Sequence, residues 1–347
     1  MAPENKFGFR NIHSRLSSLL IVILLLYWGK YLFMPLFLAM FAAIFLHPLA
    51  RLFEKLRLPR TLSAALPVIL LILFFIIFFY FFKSQLVSIL ADLPTLKQKL
   101  KSALEVSQAW IERNYKIDVA MQTNFLKKQL NSIIDPDNKG VTSLLKFVIL
   151  PALFLFFTFY ILLYRKLLLE FLLSFFKRKE DYSTVQEISA SLQVTINNYI
   201  KGLIMEMVVL AVLSYIVLLI LGIRYAILMA SFAAVLNIIP YIGIHVATLI
   251  NMLIAMTTGE VHEGVIVVIV FVIIHVLDAN LLMPFIVGSR IKINPFVTLI
   301  AVVTGELIWG IPGMFLFIPI AGTMKIIFEK INELRPFALL LGREKEV

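Results

Sequence analysis

The chain has 347 residues, of which 61% are hydrophobic and 15% charged, with a formal net charge of +11 and a mean hydropathy of +0.95. These values lie outside the range of water-soluble domains and fit a chain whose solvent is a bilayer. The absence of cysteine excludes a disulfide framework, thiol catalysis and a zinc–cysteine site. The Lys and Arg residues mostly bound apolar runs, where basic residues set orientation, so the positive charge does not point to nucleic acid.

Taken in chain order, Lys6, Arg10, His13 and Arg15 precede the apolar run Leu16–Trp28 as in a signal peptide. No small-residue cleavage site follows and further spans do, which predicts a retained first helix. Leu16–Leu46 is interrupted at Trp28-Gly29-Lys30 and Pro35, and a lysine flanked by tyrosines predicts an interface turn between two short spans. The basic loop His47–Arg60 reads as cytoplasmic, and Thr61–Phe82 is long and apolar enough to cross. Lys83–Ser143 is the one stretch polar enough for a water-exposed segment. Its apolar positions recur at helical spacing and predict amphipathic helices over Pro94–Asn114 and Asp118–Ile134, with Leu96, Leu100, Leu104 and Trp110 packed on a partner helix or lipid. Leu144–Tyr164 is the next span, followed by a basic helical linker to Asn198 and a further span over Tyr199–Leu221.

Two later apolar stretches, Tyr225–Thr257 and Phe296–Phe328, exceed one simple span, and each is broken near its middle. The first break reads Asn237-Ile-Ile-Pro240-Tyr241-Ile-Gly243 and the second Glu306-Leu-Ile-Trp309-Gly310-Ile-Pro312-Gly313. Interrupted segments at corresponding places in two halves of a membrane protein point to a transporter binding site. Thr257–Gly264 lacks Lys and Arg and reads as external. Gly288–Asn294 and the tail carry basic residues and read as internal. With Val265–Val287 running inward, the first broken stretch enters and leaves from outside, and the second from inside. Pro240 and Pro312 then stop the incoming half-helices, while Gly243 and Gly313 permit the tight turns. The alternative is a pair of long, proline-kinked helices that cross completely.

The fold expected is therefore an all-α polytopic membrane protein. It has about five or six full spans, two re-entrant helical hairpins in an inverted repeat, and a small helical extramembrane segment. The regions are N-terminal membrane helices over 1–83, the amphipathic segment over 84–143, and a membrane helix with cytoplasmic linker over 144–198. An inverted-repeat transport domain over 199–330, with hairpins 225–257 and 296–328, and a cytoplasmic tail over 331–347 complete the chain.

Polar groups inside the C-terminal spans carry the functional signal, because charges at bilayer depth are costly and usually face a cavity or partner. Glu206, Asn237, His245, Asn251, His275, Asp278, Asn280 and Glu306 are such groups. Asp278 and Glu306 stand out amid apolar neighbours beside Asn280 or a Pro/Gly break. The candidate substrate- or ion-binding set is Asn237, Asp278, Asn280, Glu306 and Glu206, with Pro240, Tyr241, Gly243, Gly310, Pro312 and Gly313 at the hairpin tips. His262-Glu263 lacks the second histidine of a zinc-protease helix, and neither a Gly-Lys-Ser/Thr phosphate loop nor a G-x-S-x-G elbow occurs. The expectation is not an enzyme, with no metal and no cofactor.

Leu236-Asn-Ile-Ile-Pro-Tyr-Ile-Gly243, Asp278-Ala-Asn-Leu-Leu-Met-Pro284-Phe-Ile-Val-Gly288, Ile293-Asn-Pro295 and Gly305–Gly313 resemble the signatures of the autoinducer-2 exporter family. Pro48-Leu49 and Pro59-Arg-Thr-Leu-Ser-Ala64 look like that family's loop after its second helix. The similarity covers nearly the whole chain. It implies a multi-pass protein of the bacterial cytoplasmic membrane, assembled as a homo-oligomer (a pentamer), that moves substrate by an elevator-like shift. The chain departs from the family pattern at Gly202-Leu203, Ile244 and His275, which bears on substrate. The leading expectation is a secondary transporter exporting a small polar metabolite or signal such as autoinducer-2. Alternatives are a sodium(lithium)/proton antiporter working through Asp278, Glu206 or Glu306, and a non-transporting membrane scaffold.

Overall fold

The computed structural model describes residues 9–91, 98, 102, 105, 108–116, 118–124, 141–174, 179–239, 242–258, 260–286, 293–331 and 334–342. Among these residues every regular element is helical. The long elements are α1 (Phe9–Trp28), α2 (Lys30–Lys55), α3 (Arg60–Ala91), α6 (Val141–Ser174) and α7 (Lys179–Ile220), with the described helical runs 108–115 (α4) and 119–124 (α5) between α3 and α6. Then come α8 (Ala226–Leu236), α9 (Gly243–Thr258), α10 (Val261–Leu277), a π-helical turn (Asp278–Leu282) and α11 (Met283–Ile286). The chain closes with α12 (Pro295–Trp309), α13 (Ile311–Lys330) and α14 (Arg335–Leu341). Among the described residues six helices are long and apolar enough to cross a membrane: α2, α3, α6, α7, α10 with its π turn, and α13. Their large apolar side chains face outward, as Leu73, Phe74, Ile76, Ile77 and Phe79 of α3 do. In water such a face is a liability, and in lipid it is the matching surface.

The residues cluster into two compact units. The first comprises Met1–Ala65, Leu150–Ile196 and Lys292–Val347, and the second Leu66–Ile149 and Asn197–Ile291. Helices α3, α6 and α7 contribute residues to both.

In the first unit, the interface turn expected at Trp28-Gly29-Lys30 is instead a helical bend. Gly29 keeps right-handed angles (φ −84°, ψ 16°), its N–H donates to Leu25 O at 2.8 Å, and its carbonyl accepts from Phe33 N at 2.9 Å. Lys30 needs no turn to stay solvated, because its ammonium lies 5.4 Å and 5.6 Å from the ring centroids of Tyr27 and Tyr31. Helices α12 and α13 form a hairpin whose only linker is Gly310, at φ 67° and ψ −149°. The tip is fixed by Trp309, which donates from Nε1 to Leu26 O at 3.0 Å and packs on Phe37 and Phe317. The open end is closed by Asn294. Its Oδ1 caps α12 at Val297 N (2.8 Å), while its Nδ2 donates to the carbonyls of Leu340 and Gly342, tying down α14. Pro295 follows at the first helical position, where a missing N–H does no harm.

The second unit centres on Leu210 and Leu218 of α7, Met229 and Ala233 of α8, Ala247 and Ala255 of α9, and Val267 and Phe271 of α10, all fully buried. The alanines let helix backbones approach closely, which is how helices associate where lipid removes the hydrophobic driving force. α7 ends in a paired reversal: Ile223 N donates to Leu218 O and Gly222 N to Leu219 O, both at 3.0 Å, with Gly222 at φ 70°. That left-handed position explains the glycine in Gly222-Ile-Arg224. Within the amphipathic segment, α4 and α5 pair through Gln108 and Thr123 (3.3 Å) and through Gln122 donating to Gln108 O (3.3 Å). Trp110 stacks edge-on against Tyr115 and is exposed. Residues 94–97, 99–101, 103–104, 106–107 and 125–134 of the expected helices, with Leu96, Leu100 and Leu104 and their expected packing, lie outside the described residues.

Candidate functional site

Both interrupted stretches fold back on themselves. In a continuous helix, Met229 and Asn251 would lie about 33 Å apart along the axis. Instead Asn251, fully buried, donates from Nδ2 to Met229 O at 3.0 Å. Gly305 and Gly313 would lie about 12 Å apart in a straight helix, yet a Cβ built on Gly313 would fall 1.9 Å from Gly305 O. α8, with 11 residues, is about 16 Å long and α12, with 15, about 22 Å, so neither reaches across a hydrocarbon core of about 30 Å. α13, with 20 residues, does.

One role, that of Pro312, differs from the sequence expectation, and the glycines act by close approach. Gly243 and Gly313 have no left-handed backbone; among glycines with described angles that property belongs to Gly222 and Gly310. Gly243 and Gly313 are required for close approach instead, each abutting a carbonyl of the preceding arm: Leu236 O at 1.7 Å and Gly305 O at 1.9 Å from a hypothetical Cβ. Pro312 occupies the first turn of α13, so it starts the outgoing helix instead of stopping the incoming one. Pro240 and Tyr241 lie outside the described residues.

In the second unit three of the predicted residues converge. Asn237 ends α8 as its C-cap. Its Nδ2 donates to Asp278 Oδ2 at 3.2 Å and to Glu206 Oε1 at 3.4 Å. Glu206, from the middle of α7, is 6% exposed and Asp278, at the end of α10, is 5% exposed. The two carboxyl groups therefore lie side by side around one amide nitrogen. No donor among the described residues reaches Asp278 Oδ1, and buried His275 Nδ1 is likewise without a partner among them. The rings of His275 and His245 meet edge to face at 5.2 Å beside this cluster. Thus one amide from a hairpin break bridges two carboxyl groups from two different helices.

Asp278 also opens the π-helical turn, in which Met283 N donates to Asp278 O, five residues back. Pro284 has no N–H to offer Asn280 O, so the ladder is broken here, and a wider turn is one way to absorb the missing bond. Asn280 is exposed and donates its amide to Val276 O at 2.8 Å. Glu306 belongs to the first unit. There it borders a cavity of about 460 Å³ at the α12–α13 tip, together with Tyr27, Lys30, Tyr31 and Trp309. Among the described residues no group of three or more His, Asp and Glu side chains is arranged to hold a metal.

Two carboxylates this close in apolar surroundings repel strongly, and a proton or a monovalent cation between them relieves the repulsion. The arrangement is chemically suited to exchanging one for the other, or to accepting hydrogen bonds from a hydroxyl-rich solute.

The family model for AI-2E family transporters matches residues 16–333. The protein YrrI of Bacillus subtilis (strain 168) is 26% identical over 311 residues, covering 86% of each chain. The AI-2 transport protein TqsA of Escherichia coli (strain K12) is 23% identical over 335 residues, covering 94% of each. YhhT of the same strain is 27% identical over 122 residues, 35% of each chain. The matched stretch contains both hairpins and every candidate site residue, and the chain belongs to the AI-2E family of transporters, multi-pass proteins of the bacterial cytoplasmic membrane.

Proposed function

We propose that this transporter is a secondary exporter of a small polar metabolite or signal, of the autoinducer-2 type, and that Glu206, Asn237 and Asp278 form its coupling and binding site. The observation that carries the reading is the single Asn237 amide shared by two buried carboxyl groups at 3.2 Å and 3.4 Å. Buried charge at membrane depth is costly unless it serves transport or is paired. Here the pair is of like sign, which packing alone does not favour. The similarity to TqsA, an AI-2 transport protein, supports the substrate class, and the hydroxyl groups of such a molecule match the acceptor and donor set of the site. In this reading hairpin α8–α9 enters from outside and α12–α13 from inside. Asn280 and Glu306 contribute to the solute's path, the chain works as a homo-oligomer, and a hairpin-bearing body moves as in an elevator.

The same carboxyl pair favours a second reading, a sodium(lithium)/proton antiporter, in which one cation replaces one proton per cycle. Proteoliposomes holding the purified chain separate the two. Efflux of labelled autoinducer-2 down an imposed proton or sodium gradient supports the exporter. Sodium- or lithium-driven change of internal pH without solute efflux supports the antiporter. Neither response leaves a non-transporting scaffold.

The hairpin orientation has its own test, made simple by a chain free of cysteine. Cysteines at Arg224 and Glu260, both exposed, should both react with a membrane-impermeant thiol reagent added from outside. Reaction at only one of the two would show that the α8–α9 stretch begins and ends on opposite sides, and the re-entrant arrangement would fall.

A further inference from the structure

The first unit contains a second cavity, unrelated to the carboxyl pair, that the transport reading leaves unused. Its volume is about 510 Å³, and its polar lining includes His47, Arg51 and Glu54 of α2, Arg165 and Lys166 of α6 and Gln193 of α7. Three permanent cations thus face one carboxylate, a formal excess of +2. Glu54 holds Arg165 in an ion pair at 2.5 Å, and Arg165 also donates to Leu162 O at 2.9 Å, so its guanidinium is fixed in place. Gln193 hydrogen-bonds His47 and joins α7 to α2. Among the described residues no carboxylate pairs with Arg51 or Lys166, and both are exposed at the mouth. Ile44, Ile161, Leu169 and Leu192 add apolar lining between these groups.

This cavity lies just inside the basic belt Lys55, Arg57 and Arg60, which marks the cytoplasmic end of α2 and α3. Exposed cations beside apolar lining, at the depth where headgroups meet acyl chains, match the two ends of one kind of molecule. A soluble anion would have no use for the apolar lining, and a zwitterionic lipid would leave the +2 uncompensated. We infer that this cavity binds an anionic phospholipid of the cytoplasmic leaflet, its phosphate between Arg51, Arg165 and Lys166 and its first acyl segment along Ile44, Ile161, Leu169 and Leu192. Basic pockets between membrane helices on the cytoplasmic side commonly take such headgroups, and the planar Arg165 fork, already oriented by Glu54, is the geometry that phosphate oxygens accept.

The test uses the full chain purified in a neutral detergent and stripped of lipid. Native mass spectrometry and thermal unfolding are followed with phosphatidylglycerol, with phosphatidylcholine of the same acyl chains, and with inorganic phosphate. Phosphatidylglycerol should be retained and raise the melting temperature, while phosphatidylcholine and inorganic phosphate should do neither. The variant Arg51→Gln/Lys166→Gln, which leaves the Glu54–Arg165 pair intact, should bind phosphatidylglycerol about 30-fold more weakly, the effect expected of two lost surface cations. Its melting temperature without lipid should stay at the wild-type value. Equal retention of the two lipids, or unchanged discrimination in the variant, would overturn the assignment. Binding of inorganic phosphate as strong as that of the lipid would also overturn it, by making this a site for a soluble anion. A change of oligomer mass in the variant would do so too, by making it a contact between copies of the chain. None of these readouts requires transport, so the outcome is independent of the substrate.

Discussion

Asp278→Asn and Glu206→Gln should each abolish transport while leaving the protein inserted and folded. Both substitutions keep side-chain volume and hydrogen-bonding reach, so α7, the π turn and the shared contact with Asn237 can persist. What each removes is the ability of the pair to alternate between a proton and another ligand, because an amide cannot take or release a proton in water's range. The two losses should not add. A double variant should be as inactive as either single one, since both groups serve one exchange. Asn237→Leu makes the complementary case: it keeps both carboxyl groups but withdraws the donor between them, so both activity and stability should fall. Solute efflux and cation-dependent pH change in proteoliposomes, alongside a folded-monodisperse check by size exclusion, read these effects. Normal rates in Asp278→Asn would remove the cluster from the mechanism.

How much of this was legible in the sequence depends on the range of the interaction. Local rules carried the apolar stretches of α2, α3, α6, α7 and α10, the breaks at Asn237–Gly243 and Glu306–Gly313, and the anomaly of Asp278 in an apolar run; α13, read as one arm of a hairpin, is itself long enough to cross. They did not carry partnerships. Glu206 and Asn237 are 31 residues apart and Asn237 and Asp278 are 41 apart, so their meeting depends on how α7, α8 and α10 pack. Asn280 and Asp278 look equivalent in sequence. The π turn and the local bond to Val276 O separate their environments. Gly29 was misread because a lysine between tyrosines looks like an interface marker. The same tyrosines cover the lysine along one continuous helical face. Asn294 was noticed only as part of Ile293-Asn-Pro295. The Asn-Pro pair does signal a helix start, but nothing local shows that its amide also closes the α12–α14 end.

The second large effect is expected at the glycines that join the hairpin arms. In lipid, helices associate by close packing of small residues, not by a hydrophobic drive between them, so a methyl group at the closest approach has no cheap escape. Gly313→Ala would place its Cβ 1.9 Å from Gly305 O, and Gly305→Ala would place its own 2.2 Å from Gly313 O. Both obstacles are backbone, so relief requires α12 and α13 to separate, which also strains the Trp309 bond to Leu26 O. A destabilisation of about 3 kcal/mol, at the upper end for overpacking, is expected for either. Gly243→Ala, 1.7 Å from Leu236 O, should behave the same way in the first hairpin. Two other glycines supply the controls. At Gly264 the nearest atom is the flexible Met256 Cγ, which can move aside. At Gly310 nothing lies within 4 Å, and the penalty comes from backbone angles (φ 67°, ψ −149°) in a region essentially only glycine adopts, about 1–3 kcal/mol. Thermal unfolding in detergent should therefore place Gly313→Ala and Gly305→Ala lowest, Gly310→Ala between, and Gly264→Ala nearest the wild type. If Gly313→Ala melted with Gly264→Ala, the α12 and α13 backbones would not be in contact at the tip, and the tight hairpin described here would be wrong.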